Sequence, residues 1–127
     1  MIEALFNQPN YVASKKLLDA TVLRHEAIAS NLANLETPNY KRVDLASTFQ
    51  TELQQAVASG DASRIAAAKP AVQADSRAEA TRSDGNTVQL ETELAELQKN
   101  TIEHSMGTQL VTGSLLRLRL AITGKSI

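Results

Sequence analysis

From Leu90 to Ile122 a single spacing rule governs the chain. Leu90, Leu94, Leu97, Thr101, His104, Thr108, Val111, Leu115, Leu118 and Ile122 follow one another at alternating intervals of four and three. Ten positions in unbroken register predict one long helix with a coiled-coil seam, about 50 Å from end to end. The apolar members, Leu90, Leu94, Leu97, Val111, Leu115, Leu118 and Ile122, are the candidate helix-packing seam. Thr101, His104 and Thr108 form a polar middle suited to setting helix register. Glu91, Glu93 and Glu96 crowd the start, and Arg117, Arg119 and Lys125 the end, which suits the helix macrodipole. Those carboxylates are therefore expected to be solvated first-turn residues rather than an acid–base pair. Leu116-Arg117-Leu118-Arg119-Leu120 alternates as a strand does, but the heptad runs through it. Gly107 and Gly113 fit a close helix approach or a slight bend.

A second helix is predicted from about Gln8 to Asn34. Tyr11, Leu18, Val22, His25, Ala29 and Leu32 mark one face, with Leu17, Thr21, Ile28 and Leu35 on its flank. Pro9 suits a helix start, and Pro38 biases Thr37 away from helix. Leu45, Phe49, Leu53 and Val57, each four apart, predict a short amphipathic helix over 44–59. The stretch 60–87 is rich in Ala, Ser, Asp and Arg, with Ile65 and Val72 its large aliphatics. It is expected to be a low-complexity, mobile or irregular connection. Asn86 or Thr87 is the expected N-cap of the last helix. The chain thus divides into 1–43, 44–59, 60–87 and 88–127. The fold class is mainly α: the long terminal helices pair as an antiparallel coiled-coil-like hairpin, and both ends form one core domain.

Chemistry is poorly provided for. Among 127 residues there is no Cys and no Trp, and the four aromatics all precede residue 50. No thiolate metal site, disulfide or cysteine nucleophile can be built. A formal net charge of −1 argues against nucleic acid as a partner. No apolar run reaches the ~20 residues of a membrane-spanning helix, and the first residues lack the basic and apolar regions of a cleaved secretory signal. His25-Glu26 opens like a zinc-protease helix, but Ala29 stands where its second His belongs. The expectation is no catalytic residue, no metal, no cofactor and no small-molecule substrate. Leu116 and Leu120 lie off the seam, and burying each gains about 1.5–3 kcal/mol. Their simplest cover is another subunit.

The densest feature is Ala29-Ser30-Asn31-Leu32-Ala33-Asn34-Leu35-Glu36-Thr37-Pro38-Asn39-Tyr40-Lys41. It reads as a helix end and a tight exit: Asn34 can cap the terminus, and Pro38-Asn39 is a turn in which Asn tolerates a left-handed conformation. Asn31, Leu32, Ala33, Asn34, Thr37, Pro38, Tyr40 and Lys41 resemble the signature of the flagellar rod and hook family. Ser30 and Asn39 depart from it, standing where that pattern has Asn and Gly. The short chain, Asp84-Gly85-Asn86-Thr87-Val88 before the last helix, and Leu115-Leu116-Arg117-Leu118-Arg119-Leu120 resemble the FlgB-type proximal rod proteins. The FlgC type is the nearest competitor.

The resemblance implies a structural subunit of the bacterial flagellar basal body, working in the periplasmic rod. Its partners would be other rod and basal-body proteins, copies of itself and the flagellar export gate. It would not be an integral membrane protein, and it would leave the cytoplasm by type III export without a cleaved signal. Phe49 and Leu53 resemble the Phe-x-x-x-hydrophobic element that the gate reads, although any amphipathic helix has that spacing. A cytosolic coiled-coil chaperone or adaptor accounts for the heptads but not for the signature.

Overall fold

The computed structural model describes residues 2–125; Met1, Ser126 and Ile127, which belong to the expected terminal blocks, lie outside the described residues. Its elements are α1 (Ile2–Phe6), α2 (Pro9–Ala33), β1 (Val43–Leu45), α3 (Ser47–Ser59), α4 (Ala62–Ala67), β2 (Val72–Ala74) and α5 (Leu90–Thr123). Helices α2 and α5 run antiparallel, so that Asn31 meets Glu93 at one end and Leu18 meets Gly107 farther along. Pro9 opens α2, where a missing N–H costs nothing. Gly124, left-handed at φ 65°, closes α5 by donating its N–H to Leu120 O.

The faces in contact are not those read from hydrophobicity alone. Helix α2 buries Ser14, Ala20, Thr21, Ala27, Ile28 and Asn31, while Val22, His25 and Ala29 are exposed. Helix α5 buries Glu93, Asn100 and Gly107, seven apart. Small and polar side chains line the hairpin seam because they permit close approach: a Cβ on Gly107 would sit 3.4 Å from Leu18 Cδ1. Gly113 faces no such neighbour. The expected polar middle lies to one side. Thr101 and Thr108 are exposed and return their hydroxyl protons to Leu97 O and His104 O.

The middle of the chain is more ordered than its composition predicts. The 44–59 helix begins at Ser47, because Val43–Leu45 is a strand paired antiparallel with Val72–Ala74 in the register Val43↔Ala74. Ala46 N–H to Ala71 O and Asp75 N–H to Arg42 O extend that ladder at both ends. Asp61 caps α4 by accepting from Ser63 N–H. Phe49, Leu53 and Ala56 of α3, Ile65 of α4, Ala68 and Ala20 of α2 form the apolar core. Ile65 is the single large aliphatic of its helix, yet it is 0% exposed. Ile65→Ala is expected to destabilise the chain by about 2–5 kcal/mol in urea unfolding, the usual cost of emptying such a site; a loose connection would lose almost nothing.

Candidate functional site

The exit motif forms a hydrogen-bonded clasp. Asn31, 0% exposed, treats Val43 as a strand neighbour would: Nδ2 donates to Val43 O (2.8 Å) and Oδ1 accepts from Val43 N–H (2.9 Å). Its Nδ2 also donates to Glu93 Oε2 at 3.1 Å, so one amide joins α2, β1 and α5. Asn34 is the C-cap of α2; its Nδ2 donates to Ser30 O, and its Oδ1 accepts from the Thr37 hydroxyl. Asn39 takes the left-handed turn at φ 59° and donates its N–H to Asp84 O. The Tyr40 hydroxyl lies 3.1 Å from Ser30 Oγ and donates to Asn31 Oδ1 at 3.4 Å. Leu32 is half-buried, whereas Ala33, Pro38 and Lys41 are exposed.

Asn86 does not cap the last helix; nor does Thr87, since α5 starts after Gln89. Fully buried, Asn86 reaches back instead and donates to Asn34 O, Leu35 O and Thr37 O at 2.9, 3.2 and 2.7 Å, while accepting from Val88 N–H. It gives a second donor to carbonyls of the loop that leaves α2, which also accept from Thr37 N–H, Arg82 and Tyr40 N–H. Gly85 beside it takes a left-handed conformation at φ 77°, which L side chains rarely adopt. The turn Asp84-Gly85-Asn86 thus belongs to the signature in space, although about fifty residues separate them in sequence.

Behind the clasp lies a buried ionic network. Glu93, expected to be solvated, is 0% exposed and accepts from Arg42 Nε as well as Asn31. Arg42 also pairs with Asp44 (3.1 Å) and Asp75 (2.7 Å), and donates its backbone N–H to Thr87 Oγ1. Arg24 ties Asp44 (3.1 Å) to Glu96 (2.6 Å). Burial works against the Arg42 charge, but Glu93 and Asp44 outweigh it and hold its pKa above the ordinary arginine value. Burial likewise opposes ionisation of Asp44 and Asp75. It is overcome by the Leu45 N–H and Arg24 at Asp44, and by the Arg77 N–H and Arg42 at Asp75, so both pKa values are lowered. The strand alternation Arg42-Val43-Asp44-Leu45 was the available signal for this network, hidden by reading 44–59 as one helix.

The seam leucines end up elsewhere. Leu97, Val111 and Leu118 are half-buried, whereas Leu90, Leu94, Leu115 and Ile122 are exposed, Ile122 by 71%. Ile102, Met106, Leu116 and Leu120 are also exposed, so α5 carries an uncovered apolar face along its whole length. The His104 ring Nδ1 lies 3.0 Å from Thr21 Oγ1; that hydroxyl spends its proton on Leu18 O, which makes Nδ1–H the donor. Asn100 donates to Thr21 O, while its Oδ1 is buried without a partner. Phe49 and Leu53 sit together in the core, one turn apart. A concavity of about 810 Å³ is walled by Arg24, Arg42, Asp44 and Asp75, charges already paired with one another, together with Glu79 and Lys99. Among the described residues no three His, Asp or Glu side chains gather as metal ligands, and no helix is long and apolar enough to cross a membrane.

A mainly helical hairpin, locked by a polar clasp and bare on its outer face, is the class of protein that the fold defines. Three curated relatives make it particular, each named flagellar basal body rod protein FlgB. The chain is 34% identical over 110 residues to that of Cereibacter sphaeroides, covering 80% of this chain and 84% of the relative. It is 29% identical over 121 residues to that of Aquifex aeolicus, covering 88% and 91%, and 29% identical over 113 residues to that of Borrelia hermsii, covering 75% and 82%. No family model matches the chain. It belongs to the FlgB family of flagellar basal body rod proteins.

Two outcomes follow from the network. Glu93→Ala strands the Arg42 charge and is expected to destabilise the chain by about 3–5 kcal/mol in urea unfolding, well beyond an exposed control such as Glu91→Ala. Asp44 and Asp75 bind protons less readily folded than unfolded. Their contribution is therefore full above the ordinary carboxylate pKa of about 3.9, and is lost as pH falls through the lowered folded values. The unfolding midpoint should drop steeply below about pH 4, and the combination of Asp44→Asn with Asp75→Asn should flatten that drop.

Proposed function

We propose that the chain is a structural subunit of the proximal rod of the bacterial flagellar basal body, not an enzyme, and enters the axial tube through its terminal helices. The observation that carries this reading is the uncovered apolar face of α5. Leu94, Ile102, Leu116 and Leu120 keep about half of their surface exposed in the folded chain, and covering that half by a neighbour would gain each about 1 kcal/mol. Neighbours in the rod, copies or other rod and basal-body proteins, provide that cover. Membership of the FlgB family supports the same setting.

In this reading the chain travels unfolded through the flagellar type III apparatus and works in the periplasmic rod, without a cleaved signal. Phe49 and Leu53 are buried once the chain folds. They can serve as an export-gate element only while it is unfolded, and then serve the core.

The test is a tagged chain followed into purified basal bodies. The parent is expected there and in motile cells. Leu116→Asp with Leu120→Asp, both exposed, should keep the helical content of the isolated chain yet drop out of basal bodies and abolish motility. A chain that stays in the cytoplasmic fraction would instead favour a chaperone or adaptor.

A further inference from the structure

The free cations of the hairpin gather at one end. Residues 2–20 and 107–125 lie side by side, since Leu18 meets Gly107, and carry Lys15, Lys16, Arg117, Arg119 and Lys125 against Glu3 and Asp19. Residues 21–36 and 88–106 carry six carboxylates against Arg24 and Lys99. Helix dipoles do not produce this sorting. Lys15 and Lys16 stand toward the positive start of α2, and no basic residue occupies the last turn of α5. Among the described residues, Lys15, Lys16, Arg117 and Arg119 make no ion pair.

The same end gathers aromatic and apolar side chains. Phe6 meets Tyr11 edge to face with ring centroids 6.1 Å apart, and Lys15 Nζ stands 5.5 Å from the centre of the Tyr11 ring. Phe6, Tyr11, Leu115, Arg117 and Leu118 line one hollow of about 170 Å³. Phe6, Leu115, Leu116, Leu120 and Ile122 are exposed. Leu90 and Leu94 at the acidic end are exposed too, so charge, not leucine, distinguishes the two ends. A helix laid in a protein groove presents one apolar stripe, at spacings of three, four and seven. Here, at about 100° per residue, Leu120 and Ile122 point about 160° apart around α5, and Arg119 falls in the arc between them. Apolar groups on diverging sides with cations among them suit a surface without fixed shape, apolar inside and anionic outside. Arginine and lysine bury their stems in such a boundary and keep their charges at its polar edge, where tyrosine is also at home.

We infer that the basic, aromatic end of the hairpin docks on the surface of a bilayer rich in anionic lipid, before neighbours in the rod cover it. Phe6, Leu120 and Ile122 enter the headgroup boundary, and Arg117, Arg119 and Lys125 meet the lipid phosphates. The carboxylate-rich end is repelled by the same surface and points away from it. The contact is peripheral, because among the described residues no helix is long and apolar enough to cross the bilayer. The inference goes beyond the rod reading and does not rest on it.

Flotation of the purified full chain with vesicles tests it. The chain should float with vesicles of equimolar phosphatidylglycerol and phosphatidylcholine at low ionic strength. It should bind pure phosphatidylcholine vesicles about tenfold less or worse, and about 1 M salt should release it from the anionic ones. Arg117→Glu with Arg119→Glu should weaken binding about tenfold or more. Leu120→Gln with Ile122→Gln should weaken it to a similar degree. All four side chains are exposed, so circular dichroism should show the helical content of the parent in both variants. Leu90→Gln with Leu94→Gln, the same change at the acidic end, should bind as the parent does. The proposal is overturned if the parent does not float, if it binds both kinds of vesicle equally, if either basic-end variant binds as the parent does, or if the acidic-end variant loses binding as strongly. A chain whose true occupant is an acidic protein gives the first of these results. Failure to float, in a chain still found in basal bodies, overturns the membrane contact and leaves the rod reading standing.

Discussion

One side-chain amide and one carboxylate hold the ends of this fold in register. Asn31 completes the strand edge at Val43 and reaches Glu93, and Glu93 neutralises Arg42 in a site closed to water. A buried carboxylate is costly to desolvate and stays ionised only where its partners are fixed. Sliding α5 by one turn would strand Glu93 without Arg42 and Asn31 and leave a buried charge unpaired. The clasp therefore selects one alignment of the hairpin, a task that a seam of interchangeable leucines performs poorly.

That alignment shapes the outer surface. With Glu93, Asn100 and Gly107 turned toward α2, much of the leucine content of α5 turns away from it. The hairpin gains specificity from polar contacts and keeps its apolar area for use elsewhere. The middle of the chain serves the same arrangement. Strands β1 and β2 bring Asp44 and Asp75 to Arg42, and Asn86 fastens the loop that leaves α2. Helices α3 and α4 supply the chain's apolar core against the side of α2.

The long helices and the ends of α2 were legible in the sequence because periodicity, Pro9 and Pro38 act locally. The left-handed turn at Asn39 was legible for the same reason. The seam was not. Counting apolar residues favours the stripe of Leu90, Leu94 and Leu115, while the contact is decided by small and polar residues whose partners lie 62 to 83 positions away. The order of 60–87 was hidden likewise, since Ile65 is buried by α2 and α3 rather than by its own Ala-rich surroundings. Asn86 read as a helix cap because Asn caps helices; it became a latch on α2 because the Asp84-Gly85 turn aims it backward.

The central claim is that the clasp makes the hairpin and that neighbours complete it. Amide hydrogen exchange along α5, in the isolated chain and in assembled rods, tests this most directly. In the isolated chain the amides flanking Glu93 and Asn100 should exchange slowest, and those from 110 to 122 fastest within the helix. On assembly the 110–122 stretch should slow to match the clasp. Uniformly slow exchange along α5 in the isolated chain, unchanged on assembly, would contradict the account.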